Sequence, residues 1–492
     1  MSINNSTSDL PDRTRKVESS AAATTGPSCN DPGSGGCGGN REGRSANCTD
    51  KKDPEAGNNG SAGAAAPGSG GPDQQQQANV GPKLCRRCKT DEGTISMRGQ
   101  PTCANCFVPF IKLKAVKRLN TLHRALADMR GSRAPHKTTY LSGLSLGPGS
   151  AVLLALLHDN IEYLVRNGRA GIAYAVTVLH VDTALDDAPR RAAADALLAR
   201  YAARFPRLRF ERAQLERVVD LPGVKWAALG VQSLPEADVD ADAGGESGLA
   251  KARRLRAALD GLHSVSARVD VLHTLVRHVL LAHAAAGGYD AVLLGSSMTT
   301  LAERAFSEVA KGRGAAVPWL TQDGVFPLPA DDGAQGGGSG SGDGGAVTRR
   351  ELPVYHVLRD VFRGEVVTFS GLAEAAGGEA LTSLIPSLAE QQQQIAAKKT
   401  IVSHKTLSIE EVMARFFDDA EATGQASVIS NVVRTTDRLA RHGGGGGACG
   451  CEICGLPMDV EGDERWRGEI GAQEEEEERQ GLCHGCQRAL TM

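Results

Sequence analysis

The sequence predicts an α/β fold, a Rossmann-like parallel sheet with helices on both faces, flanked by two four-cysteine modules. The first observation behind this prediction is that short β-rich runs alternate with helix-periodic stretches between about residues 138 and 295. Strands that alternate with helices favour a parallel sheet covered on both faces. The second observation is that paired C-x-x-C motifs stand on both sides of this region, so a metal-binding module is expected at each end.

The predicted elements follow one another as β-α-β units. Apolar residues at helical spacing indicate helices, and short runs rich in β-branched residues indicate strands. Ligands of such sheets lie beyond the carboxyl ends of the strands, which is where site residues are expected. Strands are expected at 138–144, 172–181, 208–215 and 291–295, and helices at 151–165, 188–205 and 265–286.

Composition limits the size of the folded part. The chain has 492 residues, of which 59 are glycines, and 4% are aromatic. Residues 1–81 hold few apolar side chains, so burial cannot offset the loss of chain entropy and disorder is expected. Low-complexity insertions are expected near 234–250, 330–348 and 388–398. The rest divides into an N-terminal cysteine module at 82–110, an α/β domain at 111–440, and a C-terminal cysteine module with an acidic insertion at 441–492.

Whole-chain charge decides little, whereas hydropathy argues against a membrane protein. The formal net charge is −3, so the whole chain has no nucleic-acid signature and any RNA contact requires local basic patches. No stretch approaches the roughly 18 apolar residues of a membrane-spanning helix, and the N-terminus carries no apolar signal-like run. A cytoplasmic protein without membrane contact is therefore expected.

The first cysteine quartet has the spacing of a tetrahedral metal site. Cys85 and Cys88 form C-R-R-C, and Cys103 and Cys106 form C-A-N-C after a 14-residue spacer. Four thiolates on two short turns can surround one zinc ion, which stabilises a module too small for its own apolar core. The alternative is four free thiols in a flexible segment.

The second quartet has a longer and partly acidic spacer. Cys451 and Cys454 form C-E-I-C, and Cys483 and Cys486 form C-H-G-C. Zinc is expected here too, but four thiolates also suit an iron–sulfur cluster, and spacing alone does not separate the two.

Two groups of basic residues are candidate contacts for the phosphates of RNA. One group lies in a helix-compatible stretch after the first quartet and interleaves with apolar positions, so one face can dock while the other meets phosphate. The second group lies in K-G-R-G, further along the chain. An ordinary solvated helix face explains the first pattern equally well. The candidates are Lys112, Lys114, Lys117, Arg118, Lys311 and Arg313.

The segment S-L-G-P-G-S, between a predicted strand and a predicted helix, is the natural anion pocket of this fold, because free backbone N–H groups and the helix dipole favour phosphate there. It resembles the loop of the PP-loop ATP pyrophosphatases, whose signature is S-G-G-x-D-S. Ser145, Gly147 and Ser150 match that signature. Leu146 replaces a glycine, and Gly149 replaces the aspartate.

A second landmark of the same family is also altered. It usually reads G-H-N-x-D-D-x-x-E-T and corresponds here to G-S-S-M-T-T-L-A-E-R, which retains Gly295 and Glu303. Hydroxyl groups replace the imidazole and the carboxylates, and neutral hydroxyls do not hold magnesium as carboxylates do. The resemblance therefore implies a remnant of a nucleotide site, without catalytic residues in this chain.

Four features in sequence order resemble the cytoplasmic tRNA 2-thiolation protein 2 family. They are the opening quartet, G-S-S-M-T-T-L-A-E-R-A-F, V-L-R-D-V-F-R-G-E-V and S-V-I-S-N-V-V-R-T-T-D-R-L. The resemblance covers roughly residues 84–490 apart from the insertions. In the third feature the family more often has a proline where this chain has Val357, while Arg359, Asp360 and Glu365 match.

The resemblance implies an accessory subunit paired with a catalytic, ATP-binding subunit of the cytoplasmic tRNA 2-thiolation protein 1 type. The complex would 2-thiolate the wobble uridine of tRNAs for lysine, glutamate and glutamine, giving 5-methoxycarbonylmethyl-2-thiouridine. Sulfur would come from a thiocarboxylated ubiquitin-related modifier protein. Two alternatives stay open: the chain itself adenylates tRNA uridine, or it is a zinc-ribbon scaffold or adaptor without an RNA role.

Overall fold

The computed structural model describes residues 83–131, 137–169, 174–221, 224, 226–229, 248–328, 351–372, 380–386, 407–441, 450–458 and 481–491. The predicted disordered segment 1–81 and the predicted insertions near 330–348 and 388–398 lie outside these residues, as does the insertion near 234–250 up to residue 247. Within the described residues, every helix is too short or too polar to cross a bilayer.

The strands form a small hairpin and one central sheet. The hairpin consists of β1 (Ile95–Met97) and β2 (Gln100–Thr102). The sheet consists of β3 (Thr139–Gly143), β4 (Ala175–Asp182), β5 (Arg209–Gln214), β6 (Ala291–Leu294), β7 (Gly324–Pro327) and β8 (Glu351–His356). Its strand order is β5-β4-β3-β6-β8-β7, and each neighbouring pair is parallel apart from the antiparallel edge pair β7 and β8.

Helices connect and cover the strands. The α-helices are α1 (Ala104–Arg130), α2 (Pro148–Arg166), α3 (Ala188–Arg204), α4 (Gly248–Asp260), α5 (Val265–Ala286), α6 (Met298–Ala310), α7 (Val317–Thr321), α8 (Arg363–Leu372), α9 (Ile409–Ala422), α10 (Ala426–Thr436) and α11 (His484–Thr491). Short 3₁₀ helices lie at Leu215–Asp220, Trp226–Leu229, Gly314–Ala316 and Leu381–Leu384.

The central strands β3, β4 and β6 are buried on both faces, as their apolar sequences require, whereas the edge strand β5 is mostly exposed or half-buried. Successive side chains of a strand point to opposite faces, and Tyr140 packs with α1, α2 and α8 whereas Leu141 packs with α5. Leu293 and Val292 divide between the same two clusters. A third, smaller apolar cluster joins α6 with α9 and α10. The α/β prediction with helices on both faces is therefore confirmed.

The predicted elements between residues 138 and 295 are all present, with ends that differ by up to three residues. The second strand begins at Ala175, three residues later than predicted. The first helix begins at Pro148, three residues earlier than predicted, because proline is favoured in the first turn of a helix. The added edge strand β7 is antiparallel, so the sheet is mixed at one edge. This topology brings the carboxyl ends of β3, β6 and β8 side by side. The motifs S-L-G-P-G-S, G-S-S-M-T-T-L-A-E-R and V-L-R-D-V-F-R-G-E-V follow these three ends in that order.

Candidate functional site

The glycine-rich loop after β3 keeps the shape of an anion loop. Gly147 is the N-cap of α2, and Pro148 occupies its first turn. Leu146 has φ +61, a left-handed conformation that glycine adopts at lower cost, at the position where the resembled signature has glycine. The Ser150 hydroxyl donates to the Gly147 carbonyl at 3.0 Å and lies 3.3 Å from the Ser145 hydroxyl. The serines therefore hold the turn.

Two glycines bring this loop into direct backbone contact with the loop after β6. A Cβ atom at Gly149 would lie closer than 3.0 Å to the carbonyl oxygen of Gly295. A Cβ atom at Gly295 would meet the Gly149 carbonyl oxygen at 2.5 Å and the Ser150 nitrogen at 2.7 Å. Side chains essentially never approach backbone so closely. The position of the family aspartate, at Gly149, therefore has no room for a side chain.

The hydroxyl groups that replace the imidazole and carboxylates of the second landmark form hydrogen bonds within the protein. Ser297 is the N-cap of α6, and its side chain accepts from the Thr300 N–H at 3.1 Å. Thr299 is fully buried; its hydroxyl donates to Glu421 at 2.9 Å and accepts from the Arg363 N–H at 3.0 Å. These groups cap and clamp helices, so they are not arranged as ligands for a metal ion.

Glu303, the retained acid of the second landmark, lies between helices instead of in the loop. It pairs with Arg363 at the start of α8, which also pairs with Asp418 of α9 at 3.0 Å. Burial raises the pKa of Glu303 to about 7 against the opposing effect of Arg363. The pair joins α6 to α8 and α9, and we assign Glu303 a structural contact.

The N-terminal quartet forms a closed cluster of sulfur atoms. Cys85 and Cys88 lie on one turn, and Cys103 and Cys106 lie at the N-cap and in the first turn of α1. The four Sγ atoms lie within 4.8 Å of one another, and those of Cys88 and Cys103 are 3.7 Å apart. A tetrahedral ion with metal–sulfur bonds of about 2.3 Å separates its thiolates by roughly 3.8 Å, so the donor set fits one such ion.

One arginine attaches this module to the α/β body. Arg98, in the β1–β2 turn, donates to both carboxylate oxygens of Glu365 at 2.7 and 3.0 Å, and also to the Asp360 carbonyl at 3.0 Å. A bidentate pair of this kind fixes orientation as well as distance. The motif V-L-R-D-V-F-R-G-E-V is therefore a clamp for the N-terminal module.

The C-terminal quartet is part of the core of the protein. Its Sγ atoms also lie within 4.8 Å of one another, with 3.8 Å between those of Cys454 and Cys483. Cys451, Cys454 and Cys486 are buried and pack in the same apolar cluster as α5. The Cys483 N–H donates to the Cys451 sulfur at 3.3 Å, a contact that favours the thiolate form.

Helix α5 holds the C-terminal module by two hydrogen bonds to backbone. Arg277 donates to the Cys454 carbonyl at 2.7 Å, and the His278 Nε2 lies 2.9 Å from the Ile453 carbonyl, which can only accept. Burial, then the Arg277 charge, lowers the pKa of His278 to about 4, so the ring is neutral. Sequence spacing gave no signal for this partnership, because 175 residues separate His278 from Ile453.

The predicted RNA contacts in K-G-R-G lie in a buried ion-pair network. Lys311 pairs with Asp270 at 2.6 Å, and with Glu308 and Glu410 at 2.9 Å each. The Arg313 side chain is 4% exposed and pairs with the same Asp270 and, at 3.0 Å, with Glu308. Both charges therefore neutralise buried carboxylates, and their contact with RNA stays a prediction.

The predicted contacts on α1 are divided by their partners. Lys112 pairs with Asp159 at 2.7 Å, and Arg118 pairs with Asp323. The Lys114 ammonium donates to a backbone carbonyl at 2.8 Å. Lys117 is exposed. The four candidate cations therefore lie on one helix, but two are paired with carboxylates, one donates to a backbone carbonyl and one is exposed.

A buried histidine at the carboxyl end of β8 predicts a pH dependence. Burial lowers the pKa of His356 from 6.5 to about 4, so below pH 6.5 the unfolded chain binds a proton that the folded chain does not. Stability from this site is present above about pH 6.5 and is lost as pH falls towards 4, by about 3 kcal/mol at most. We expect the free energy of unfolding, from urea titrations at several pH values, to fall less steeply for His356→Gln than for wild type. Parallel curves would contradict this assignment.

The fold and the site define an α/β protein with a closed glycine loop that lacks acidic groups and with two four-cysteine clusters, one at the start of α1 and one packed against α5. The family model for cytoplasmic tRNA 2-thiolation protein 2 matches residues 408–484. A protein of that name from Sclerotinia sclerotiorum is 30% identical over 71% of this chain and 80% of its own length. The chain therefore belongs to the cytoplasmic tRNA 2-thiolation protein 2 family.

Two further proteins are similar to this chain. Cytoplasmic tRNA 2-thiolation protein 2 from Phaeosphaeria nodorum is 29% identical over 83% of this chain and 94% of its own length. Among solved structures, the U34-tRNA thiolase NcsA from Methanococcus maripaludis, with its 4Fe–4S cluster, matches at 13% identity and a TM-score of 0.41. That match covers 75% of this chain and 95% of NcsA.

Proposed function

We propose that this chain is the non-catalytic subunit of a cytoplasmic complex that 2-thiolates the wobble uridine of tRNAs for lysine, glutamate and glutamine. The modified nucleoside is 5-methoxycarbonylmethyl-2-thiouridine. The catalytic partner is a subunit of the cytoplasmic tRNA 2-thiolation protein 1 type, which binds ATP. The sulfur donor is a thiocarboxylated ubiquitin-related modifier protein. Family membership supports the tRNA thiolation role, and the loop geometry supports the division of labour.

The observation that carries the non-catalytic role is the backbone contact between Gly149 and Gly295. Adenylation of uridine requires ATP with its magnesium ion, and magnesium in such sites is held by carboxylates and phosphates. The loop has no carboxylate, and the neighbouring loop occupies the space where one would stand. The hydroxyls of Ser297 and Thr299 are engaged in capping and clamping.

The cysteine clusters support a structural role for metal in this chain. We propose that each quartet holds one zinc ion. The close sulfur separations, 3.7 and 3.8 Å, favour a single tetrahedral ion, because a four-iron cluster carries each thiolate on a different iron and holds the sulfurs farther apart. All four ligands of each site are protein thiolates, which leaves no open position for a substrate.

The test of the proposed function separates the subunits. The purified full-length chain, mixed with tRNA and ATP, is expected to show no tRNA-dependent ATP consumption above background, because it cannot hold the magnesium nucleotide. Addition of the catalytic subunit and the thiocarboxylated donor is expected to give 2-thiouridine, measured by mass spectrometry of tRNA nucleosides.

Two controls define the outcome. The catalytic subunit without this chain should lose most of the thiolation, and a catalytic subunit with a disabled nucleotide loop should lose all of it. Robust tRNA-dependent ATP turnover by this chain alone would overturn the non-catalytic assignment.

A further inference from the structure

The cations of α1 that remain available lie on its outer face. Lys112 and Arg118, at the edges of the buried face, are neutralised by carboxylates. Lys117 and Arg124 are exposed, and among the described residues no carboxylate lies within ion-pair distance of either. Free positive charge on this helix is therefore directed away from the body of the protein.

A second concentration of positive charge surrounds one aromatic ring at the start of the same helix. The Arg87 guanidinium lies 4.4 Å, the Lys114 ammonium 4.9 Å and the Arg98 guanidinium 5.7 Å from the centroid of Phe110. Glu365 neutralises Arg98, whereas the hydrogen-bond acceptor of Lys114 is a neutral carbonyl. Burial and then the Arg98 charge lower the pKa of Lys114. The Glu365 and Asp360 carboxylates oppose this shift, and Glu365 pairs directly with Arg98.

The two groups form one row. Phe110, Lys114, Lys117 and Arg124 are separated by four, three and seven residues, which places them on one face of a helix. The ten residues from Lys114 to Arg124 span about 15 Å. Arg87 extends the row onto the cysteine module through its contact with Phe110. We name the side chains of Arg87, Lys114, Lys117 and Arg124 the knuckle–helix strip.

We propose that the knuckle–helix strip binds the sugar-phosphate backbone of tRNA. A polyanion with regularly spaced charges suits a row of long cationic side chains on a rigid helix. Binding phosphate there would relieve the repulsion among the cations at Phe110. The turn that carries Cys85 and Cys88 places Arg87 beside the helix. This inference rests on the proposed function, in which tRNA is the substrate.

The test measures tRNA affinity and its salt dependence. A fluorescein-labelled tRNA transcript with an unmodified wobble uridine is titrated with the full-length chain bound to its catalytic partner, and anisotropy gives Kd at several salt concentrations. Lys117→Gln/Arg124→Gln is expected to raise Kd about tenfold or more. The slope of log affinity against log salt is expected to become shallower by about 1.5 to 2, because two phosphate contacts are lost. Arg87→Gln is expected to act in the same direction.

The matched control removes the same charge elsewhere. Arg434→Gln/Arg438→Gln alters two exposed arginines, on and just beyond α10, and is expected to change Kd less than about threefold. The charge-conserving pair Lys117→Arg/Arg124→Lys is expected to keep wild-type affinity. Zinc content and thermal unfolding of each variant show that the module is intact.

The outcomes separate the two proposals. If the wild-type complex neither binds nor thiolates tRNA, the proposed function itself fails. If the wild-type complex thiolates tRNA but Lys117→Gln/Arg124→Gln binds it with unchanged Kd and salt slope, the strip is not the tRNA surface. Loss of partner assembly in size-exclusion chromatography with unchanged tRNA affinity, which would identify an acidic protein surface as the occupant, also overturns the strip proposal.

Discussion

Replacing Cys454 by serine is expected to lower the thermal unfolding midpoint of the whole α/β body by more than about 10 °C. Cys454 is buried and belongs to the apolar cluster that α5 forms with the sheet. Structural zinc contributes of the order of 10 kcal/mol of folding free energy in small modules. Loss of a few kcal/mol shifts the midpoint by 2 to 4 °C for each kcal/mol in a domain of about 200 residues. Calorimetry and elemental analysis of the same sample measure both effects.

The metal content of each variant gives a separate test of this prediction. The wild-type chain is expected to carry one zinc ion for each quartet, the Cys454→Ser chain is expected to lose the C-terminal ion, and Cys29→Ser, outside both quartets, is expected to keep both. Iron with sulfide in place of zinc would contradict the proposal of a single ion in each site. An unchanged midpoint after loss of the C-terminal ion would show that the core does not depend on it.

The sequence predicted the central fold because its signals are local. The strands β3, β4 and β6 are short, largely apolar runs, and α2 and α5 repeat apolar positions at the helical period, so local patterns located them within a few residues. The edge strand β5 is mostly polar and carries a weaker signal. The cysteine spacing likewise predicted both quartets that the structure brings together. β7 and β8 were not predicted; they pair with each other across residues outside the described part of the chain.

The site was less accessible from sequence because its contacts are long-range. The buried acids around Lys311 and Arg313 come from distant segments, among them Asp270 and Glu410, so a basic K-G-R-G motif alone resembles a phosphate contact. The same holds for Arg98, whose partner Glu365 lies 267 residues away. A charge pattern shows which residues can form ion pairs, but the fold decides which of them are neutralised.

The absence of the loop aspartate has a structural consequence that the sequence signature did not indicate. From the signature, Gly149 indicated a missing ligand. The structure shows that the space of that ligand is filled, because Gly149 and Gly295 meet backbone to backbone. Leu146 has the left-handed conformation expected of the glycine in the PP-loop signature, so the turn keeps its backbone shape without that glycine.

Restoring the family aspartate with Gly149→Asp is expected to destabilise the protein by about 2 to 4 kcal/mol and to restore no nucleotide binding. Local effects predict the opposite sign, because an acid in the first turn of a helix is favoured by the helix dipole and replacing glycine reduces the entropy of the unfolded chain. Destabilisation therefore isolates the clash with the Gly295 carbonyl. Urea unfolding gives the free energy, and isothermal titration with magnesium and ATP tests binding.

Gly147→Ala is the matched control, since a Cβ atom there meets the Ser145 hydroxyl at 3.4 Å and no backbone. As an N-cap change it should cost well under about 1 kcal/mol. Gly149→Ala adds a single methyl group and should be destabilising where Gly147→Ala is nearly neutral, because the neighbouring backbone cannot move aside without shifting β6. If Gly149→Asp instead bound the magnesium nucleotide at wild-type stability, the loop would be an open site that lacks one ligand. That result would contradict the proposal that only the catalytic partner binds ATP.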